Sequence, residues 1–264
     1  MTEKEPEQIE NKRDLGSLAD WWQATRVAGS FLTRLPWPVD EDEAATPIGT
    51  VAATFPVVGI LVGAIAAVVL MMATWSGLSP LATALLAIGA TVIVSGGLHE
   101  DGLADVADGF GGGVTKEDKL RIMKDSRIGA FGVLAVVFAV GLRVTLIGGM
   151  DPWLAAAALI GAGAASRAAL PVLMTVLEPA RDKGLGARSG KPAWNDVVGG
   201  LIYAGVALLL CGYAGVLGAF AGVCAAYAMI RLAQRHIGGQ TGDVLGATQV
   251  VVETAVYLGV AISS

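Results

Sequence analysis

"TVAATFPVVGILVGAIAAVVLMMATW", residues 50–75, runs for 26 positions without one Asp, Glu, Lys or Arg. The hydrocarbon core of a bilayer is about 30 Å thick, and a helix needs roughly 20 apolar residues to cross it. We therefore predict that this stretch is a transmembrane α-helix.

Similar apolar runs fill most of the remaining chain. The predicted spans are residues 50–75, 80–98, 129–149, 152–177, 196–213, 214–232 and 245–262. Hydrophobic residues make up 54% of the 264 residues and charged residues only 16%, which is typical of membrane proteins. The 36 glycines lie mostly inside these runs, where they favour close helix packing. We predict an all-α, polytopic integral membrane bundle of about seven transmembrane helices.

The positive charges of the polar loops all lie on one predicted side of this bundle. Lys and Arg collect in loops 99–128 and 178–195 and around the last polar loop, at Arg231 and Arg235, whereas the intervening turns contain none. Because Lys and Arg accumulate in cytoplasmic loops, we expect the N-terminus and every long polar loop to be cytoplasmic.

Residues 1–49 are predicted to form an acidic cytoplasmic arm and an interfacial helix. Ten Asp and Glu residues within the first 43 positions set the sign of the net charge, −5. "LADWWQATRVAGSFLTRLP", residues 18–36, has apolar and aromatic residues at roughly helical spacing, which indicates a surface helix ending at Pro36. Residues 50–264 are then the transmembrane catalytic domain with its cytoplasmic loops.

The sequence indicates neither a cysteine-based site nor a nucleic-acid partner. Cys211 and Cys224 lie in apolar runs without His or Cys at metal-ligand spacing, so we expect buried thiols rather than a disulfide or a zinc site. No basic patch with interleaved aromatic residues occurs, so nucleic acid is not an expected partner.

"HEDGLADVADG", residues 99–109, places four carboxylates directly after the second apolar run. At about 100° per residue, Asp101, Asp105 and Asp108 share one stripe of a continuing helix. These charges repel one another, and Mg²⁺ or Mn²⁺, which prefer hard oxygen ligands, would neutralise them. The stripe is the predicted catalytic and metal site, with Glu100 beside it as a further metal ligand. The alternative is a solvated acidic loop that ends a span.

Polar residues near this motif are candidate substrate contacts. Arg and Lys beside a metal site suit phosphate. Arg167, inside the fourth span, is expected to meet a carboxylate or a phosphate in a polar cavity, whereas Arg143 is expected to snorkel towards the outer side. The loop 235–253 is a second ligand-binding turn, or else a Gly-rich reversal capped by Asp243. The predicted substrate-binding residues are His99, Lys124, Ser126, Arg127, Arg167, Thr241 and Asp243.

Seven segments, in order along nearly the whole chain, resemble the cobalamin synthase family of adenosylcobinamide-GDP ribazoletransferases. They are "FLTRLPWP", "FPVVGILVG", "GGLHEDGLADVADGFGGG", "RIMKDSRIGAFG", "ASRAALPVL", "ARDKGLGA" and "GGQTGDVLGATQVVVE". Glu100 departs from the resemblance, because the family usually shows an apolar residue at that place in the acidic segment.

The resemblance implies the last assembly step of cobalamin biosynthesis. The 5′-hydroxyl of α-ribazole would attack the cobinamide-side phosphorus of adenosylcobinamide-GDP, and GMP would leave; the 5′-phosphate of ribazole is the other acceptor considered. Implied with it are Mg²⁺ as cofactor, the plasma (inner) membrane of a prokaryote, an active site facing the cytoplasm, and a homo-oligomer as a further candidate partner.

Two alternatives are weighed against this reaction. A CDP-alcohol phosphatidyltransferase also uses an Asp-rich motif, but its "D-G-x-x-A-R" pattern fails here because Asp105 follows Ala104. An ion-coupled transporter should distribute ionisable residues through the midplane and contain inverted repeats. Here the charges cluster at one face and no repeat is evident.

Overall fold

A computed structural model describes residues 17–181 and 189–263 of the chain. Within those residues the regular structure is helical, apart from one isolated β-bridge between Pro179 and Gln240. Most of the predicted acidic arm, residues 1–16, and the loop residues Lys183 and Arg188 lie outside the described residues.

The helices follow one another with short connections. Their bounds are α1 Leu18–Leu32, α2 Glu41–Ala44, a 3-10 helix Ile48–Thr54 that continues into α3 Phe55–Trp75, α4 Pro80–Ser95, α5 Leu98–Gly112, α6 Lys116–Ile122, α7 Ala130–Gly149, α8 Pro152–Val176, α9 Trp194–Leu208 with a 3-10 turn Leu209–Cys211, α10 Ala214–Ile237 and α11 Gly242–Ile262.

The predicted membrane spans are confirmed as helices. In the described residues, six helices are long and apolar enough to cross a membrane: α3, α7, α8, α9, α10 and α11, with α3 and α9 counted together with their 3-10 turns. Helices α4 and α5 pass the same test as a pair and are bent by 89°. The count is therefore six, or seven when the bent pair is one broken span, which confirms an all-α polytopic bundle.

Helix α1 confirms the predicted helix before the first span, although it ends at Leu32 rather than at Pro36. Ser17 and Asp20 form a capping box at its start, which satisfies two backbone N–H groups that have no partner within the helix. One face buries Ala24 and Val27 against the bundle while Trp22 stays 58% exposed. This two-sided pattern is typical of a helix at an interface.

Helices α8 and α11 form the centre of the bundle, and glycine permits close packing of α3 against α8. Gly59 of α3 and Gly163 of α8 face each other so closely that a Cβ on Gly59 would overlap the Gly163 carbonyl oxygen. The predicted role of glycine inside the spans is thereby confirmed at this crossing. The prediction for the cysteines is only half right, since Cys211 is buried but Cys224 is exposed on the outside of α10; neither forms a disulfide.

A sharp turn separates α4 from the acidic helix α5. Gly96 and Gly97 both adopt the left-handed conformation, with φ of 67° and 71°, which costs other residues energy but not glycine. The predicted second span, 80–98, therefore ends at Ser95, and the acidic stretch does not continue that helix but leaves it at 89°.

The polar loops gather at one end of the bundle. Arg181 donates a hydrogen bond to the Leu120 carbonyl oxygen over 3.0 Å. The backbone of Ala180 donates to Gln240, and Gln240 donates in turn to Glu178. Loops that the Lys and Arg pattern assigned to one side are thus in direct contact.

Candidate active site

The burial of the three aspartates of the acidic motif increases along α5. Asp101 is exposed, Asp105 is half-buried and Asp108 is buried. Asp105 lies within electrostatic reach of Asp101, Asp108 and also Asp243, which comes from the start of α11. The two predicted ligand-binding segments, residues 99–109 and 235–253, are therefore brought together although 125 residues of chain lie between them.

Gly102 explains how α5 and α11 approach each other. A Cβ on Gly102 would lie 2.7 Å from the backbone oxygen of Asp243 and 3.2 Å from the Cα of Gly246. Any larger residue would push the helices apart. The glycine of the D-G-L-A-D segment thus accommodates a neighbouring helix.

Two cavities meet at Asp101. One, of about 260 Å³, is lined by His99, Asp101 and Asp243 together with apolar residues of α1 and α3. The other, of about 450 Å³, is lined by Arg34, Gly96 and Asp101. Because Asp101 borders both, its carboxylate is available to a ligand in either cavity.

Asp108 binds the start of α7. Its two carboxylate oxygens accept hydrogen bonds from the backbone N–H groups of Gly129, at 2.6 Å, and Gly132, at 2.9 Å. The first turn of a helix presents unpaired N–H groups and a partial positive charge, so a carboxylate there is stabilising. Asp108 thereby fixes α7, and the loop preceding it, against the acidic helix.

Arg143 lies in a buried ion-pair network and is only 1% exposed, so the prediction that it snorkels to the surface was wrong. It donates to Glu100 at 2.9 Å and to Glu253 at 3.0 Å. Glu100, a candidate metal ligand from sequence, is thus engaged by Arg143 through Oε1.

Arg167 completes this network from α8. It donates to Glu253 at 3.2 Å, which confirms the prediction that it meets a carboxylate. Gln249 donates to Ser166 and to the same Glu253 oxygen, Oε1, that accepts from Arg167. Arg143 donates to the other oxygen, Oε2. The sequence pattern did not indicate that Glu253 is the acceptor shared by Arg143, Arg167 and Gln249.

His99 lies beside this network and is 2% exposed. In the described part of the chain, neither of its ring nitrogens has a hydrogen-bond partner. A buried imidazole without partners is costly, so its nitrogens are available to a group that enters the adjoining cavity.

Lys124, Ser126 and Arg127 lie on an exposed loop between α6 and α7. Arg127 forms a two-pronged ion pair with Asp125, at 2.7 Å and 3.0 Å. These hydrogen bonds lower the pKa of the Asp125 carboxyl to about 2. The loop is held next to the acidic helix by Asp108, which binds Gly129 two residues beyond Arg127.

Thr241 and Asp243 open α11. Thr241, rather than Asp243, is the N-cap, because its hydroxyl accepts from the Val244 N–H at 3.3 Å. The Asp243 carboxylate lies 3.8 Å from the Arg181 guanidinium, an ion pair the sequence did not indicate. Asp243 is half-buried, within electrostatic reach of Asp105 and of the Arg181 guanidinium.

Oxygen donors for a metal are present, but they do not form a closed cage. Nowhere in residues 17–181 and 189–263 do three His, Cys, Asp or Glu side chains come together closely enough to hold a metal ion on their own. Mg²⁺ commonly binds through one or two carboxylates together with substrate phosphates and water. Asp101 and Asp243, which line the same cavity, fit a site of that kind. Both oxygens of Asp108 are engaged by α7, and Oε1 of Glu100 is engaged by Arg143.

Comparison with known proteins gives a consistent result over most of the chain. The sequence profile described as cobalamin-5-phosphate synthase matches residues 24–261. An adenosylcobinamide-GDP ribazoletransferase of Bradyrhizobium diazoefficiens is 41% identical over 239 residues, covering 88% of this chain and 91% of the relative. Relatives of the same description from Mesorhizobium japonicum (44%, covering 89% and 92%) and Azorhizobium caulinodans (44%, covering 93% and 96%) agree. No solved structure matches the chain. The chain belongs to the cobalamin-5-phosphate synthase family.

Proposed function

We propose that the chain transfers the phosphocobinamide group of adenosylcobinamide-GDP to α-ribazole or its 5′-phosphate, releases GMP, and forms adenosylcobalamin or its phosphate. The observation that carries this proposal is that Asp101 and Asp243 line one cavity at the polar end of the bundle, with Asp105 within electrostatic reach of both. Membership of the family favours this reaction over a lipid phosphotransferase or a transporter.

The name of the matched family bears on which hydroxyl attacks. A product that carries a 5′-phosphate cannot have formed through the 5′-oxygen of ribazole. We therefore replace the expected 5′-hydroxyl by a secondary ribose hydroxyl. Its O–H bond breaks, its oxygen forms a new bond to the cobinamide-side phosphorus, and the bond from that phosphorus to the oxygen bridging towards GMP breaks.

The three carboxylates are given different roles. Asp105, half-buried among the other carboxylates, is the proposed acceptor of the ribose proton, since a base must lie within reach of the attacking group. Asp101 and Asp243 would hold Mg²⁺, which when bound neutralises charge on the pyrophosphate oxygens. Asp108 is a positioning residue, because both of its oxygens bind the start of α7.

Substrate contacts are proposed for both sides of the site. Lys124, Ser126 and Arg127 carry donors on the exposed loop and suit phosphate or sugar oxygens. His99 offers its unpaired nitrogens at the inner cavity, and Thr241 orients Asp243 by capping α11. Arg167 acts from behind the site, through Glu253, and is a positioning residue rather than a phosphate ligand.

We place this face of the protein in the cytoplasm and the chain in a prokaryotic plasma membrane. The polar loops that meet there carry most of the Lys and Arg of the chain, which favours the cytoplasmic side. Asp118→Cys, on exposed α6, should react with an impermeant maleimide in inverted vesicles but not in right-side-out ones. The opposite labelling pattern would reverse the orientation.

The test of the reaction is GMP release by purified protein in liposomes, given adenosylcobinamide-GDP with α-ribazole or its 5′-phosphate. We expect GMP and the corrinoid product in equal amounts with Mg²⁺, and neither after EDTA. Asp101→Asn, Asp105→Asn and Asp243→Asn should each lower turnover by roughly 100-fold or more. Asp151→Asn, an acidic N-cap at the other end of the bundle, is the control and should retain full turnover.

Two results would contradict these proposals. Full turnover in EDTA would exclude the metal while leaving the transfer reaction intact. No product from folded protein with either acceptor would exclude the reaction itself.

A further inference from the structure

Arg34 is a charged residue at the proposed site that lies outside both the acidic motif and the polar loops. It follows α1, and its backbone N–H donates to the Val94 carbonyl oxygen of α4 at 2.7 Å. This bond holds the Arg34 backbone beside the Gly96–Gly97 turn that precedes the acidic helix. Its side chain is exposed and lines the 450 Å³ cavity together with Asp101.

The Arg34 side chain lies across Gly96. A Cβ on Gly96 would overlap the Nε and Cγ atoms of Arg34, so the arginine occupies the space that any other residue at position 96 would fill. Gly97, next to it, adopts nearly the same left-handed conformation, but a Cβ there would touch nothing within 4 Å. The bare surface of Gly96 therefore sets the direction of the guanidinium.

The Arg34 guanidinium has no partner within the described part of the chain. Among the residues that the structure describes, none accepts a hydrogen bond from it or forms an ion pair with it. Other arginines near the polar end are engaged, as Arg26 is by Glu43 and Arg181 by Asp243. An arginine and an aspartate that line one cavity without pairing leave both charges free for a ligand.

We propose that Arg34 binds a phosphate of the substrate pyrophosphate at the mouth of the cavity that it shares with Asp101. A guanidinium presents two parallel N–H donors that match phosphate oxygens, and Asp101, which lines the same cavity, would help to hold the metal ion that binds this group. This inference rests on the proposed function and adds to it a specific residue of the phosphate site.

The test measures equilibrium binding of adenosylcobinamide-GDP without any acceptor, so that it does not depend on turnover. Arg34→Gln should raise the dissociation constant roughly 10- to 100-fold, the usual effect of losing a charged hydrogen-bond donor. Arg34→Lys keeps the charge but not the two-pronged geometry and should recover only part of the affinity. Arg231→Gln, an exposed arginine of α10 outside the site, should bind as wild type does.

A pair of glycine variants separates the contact from damage to the fold. Gly96→Ala and Gly97→Ala carry the same backbone strain, but only Gly96→Ala displaces the Arg34 side chain. Both should lower the melting temperature, whereas only Gly96→Ala should weaken binding as Arg34→Gln does. Equal binding by the two variants would overturn the assignment.

The outcomes also separate this inference from the reaction itself. If wild type binds and turns over while Arg34→Gln binds equally well, Arg34 is not a phosphate ligand and the transferase proposal stands. If folded wild type neither binds adenosylcobinamide-GDP nor releases GMP, both proposals fail.

Discussion

Arg143 of α7 and Glu253 of α11 form an ion pair of 3.0 Å in the buried centre of the bundle, although 110 residues separate them in sequence. Glu253 also accepts from Arg167 of α8, and Arg143 also donates to Glu100 of α5. Two positive and two negative charges thus balance, and they join four helices directly beneath the proposed site. A change in one member leaves an opposite charge buried without a partner.

Glu253→Gln should destabilise the protein strongly. The amide removes the negative charge that Arg143 and Arg167 share, and breaking a buried pair typically costs about 3–5 kcal/mol. The free energy of unfolding in mixed micelles measures this loss. Glu178→Gln removes an exposed pair with Lys191 and should cost about 1 kcal/mol or less.

A double-mutant cycle tests the coupling between Glu100 and Arg143, two further members of the buried network. Glu100→Gln with Arg143→Gln should cost less than the sum of the two single changes, since the two side chains interact directly at 2.9 Å. Strict additivity would show that the network does not act as a unit.

Asp108→Ala should loosen the start of α7. The change removes both acceptors from the Gly129 and Gly132 N–H groups, and loss of such a cap typically costs about 0.5–2 kcal/mol. Hydrogen exchange should accelerate at residues 129–133, and Asp108→Asn, which keeps one acceptor, should show a smaller effect. Unchanged exchange at these amides in Asp108→Ala would disprove the capping role.

Much of this architecture could be predicted from local patterns. Hydropathy located the spans because a bilayer requires a minimum length of apolar helix, and helical spacing placed Asp101, Asp105 and Asp108 on one helix. A charge inside a span needs a partner, so a carboxylate near Arg167 was also predictable.

The remaining features depend on contacts between distant segments. The run 80–98 reads as continuous because Leu98 is apolar, while the paired glycines at 96 and 97 turn the chain by 89°. Arg143 lies in the second half of its span, so snorkelling towards the outer side was the expectation from sequence, and only the packing of α11 supplies Glu253. Arg34 likewise acquires its setting from Gly96, which is 62 positions further along.

Gly59→Ala should push α3 and α8 apart. The added methyl group would overlap the Gly163 backbone, and overpacking of this kind typically costs about 1–3 kcal/mol. Gly141→Ala is the matched control, because a Cβ there meets nothing within 4 Å and alanine favours a helix. The two melting temperatures should therefore move in opposite directions, and a stable Gly59→Ala variant would refute this account of the helix crossing.

Arg127→Gln should weaken substrate binding without weakening the fold. The side chain is 87% exposed and its only ion pair in the described residues is with the adjacent Asp125, so the free energy of unfolding should not change measurably. If Arg127 contacts a phosphate, KM for adenosylcobinamide-GDP should rise roughly 10-fold or more while kcat changes little. Arg121→Gln, paired with Asp118 on the outer side of α6, is the control and should leave KM unchanged. Equal KM values for the two variants would remove Arg127 from the substrate site, and a fall in kcat alone would assign it to the transition state instead.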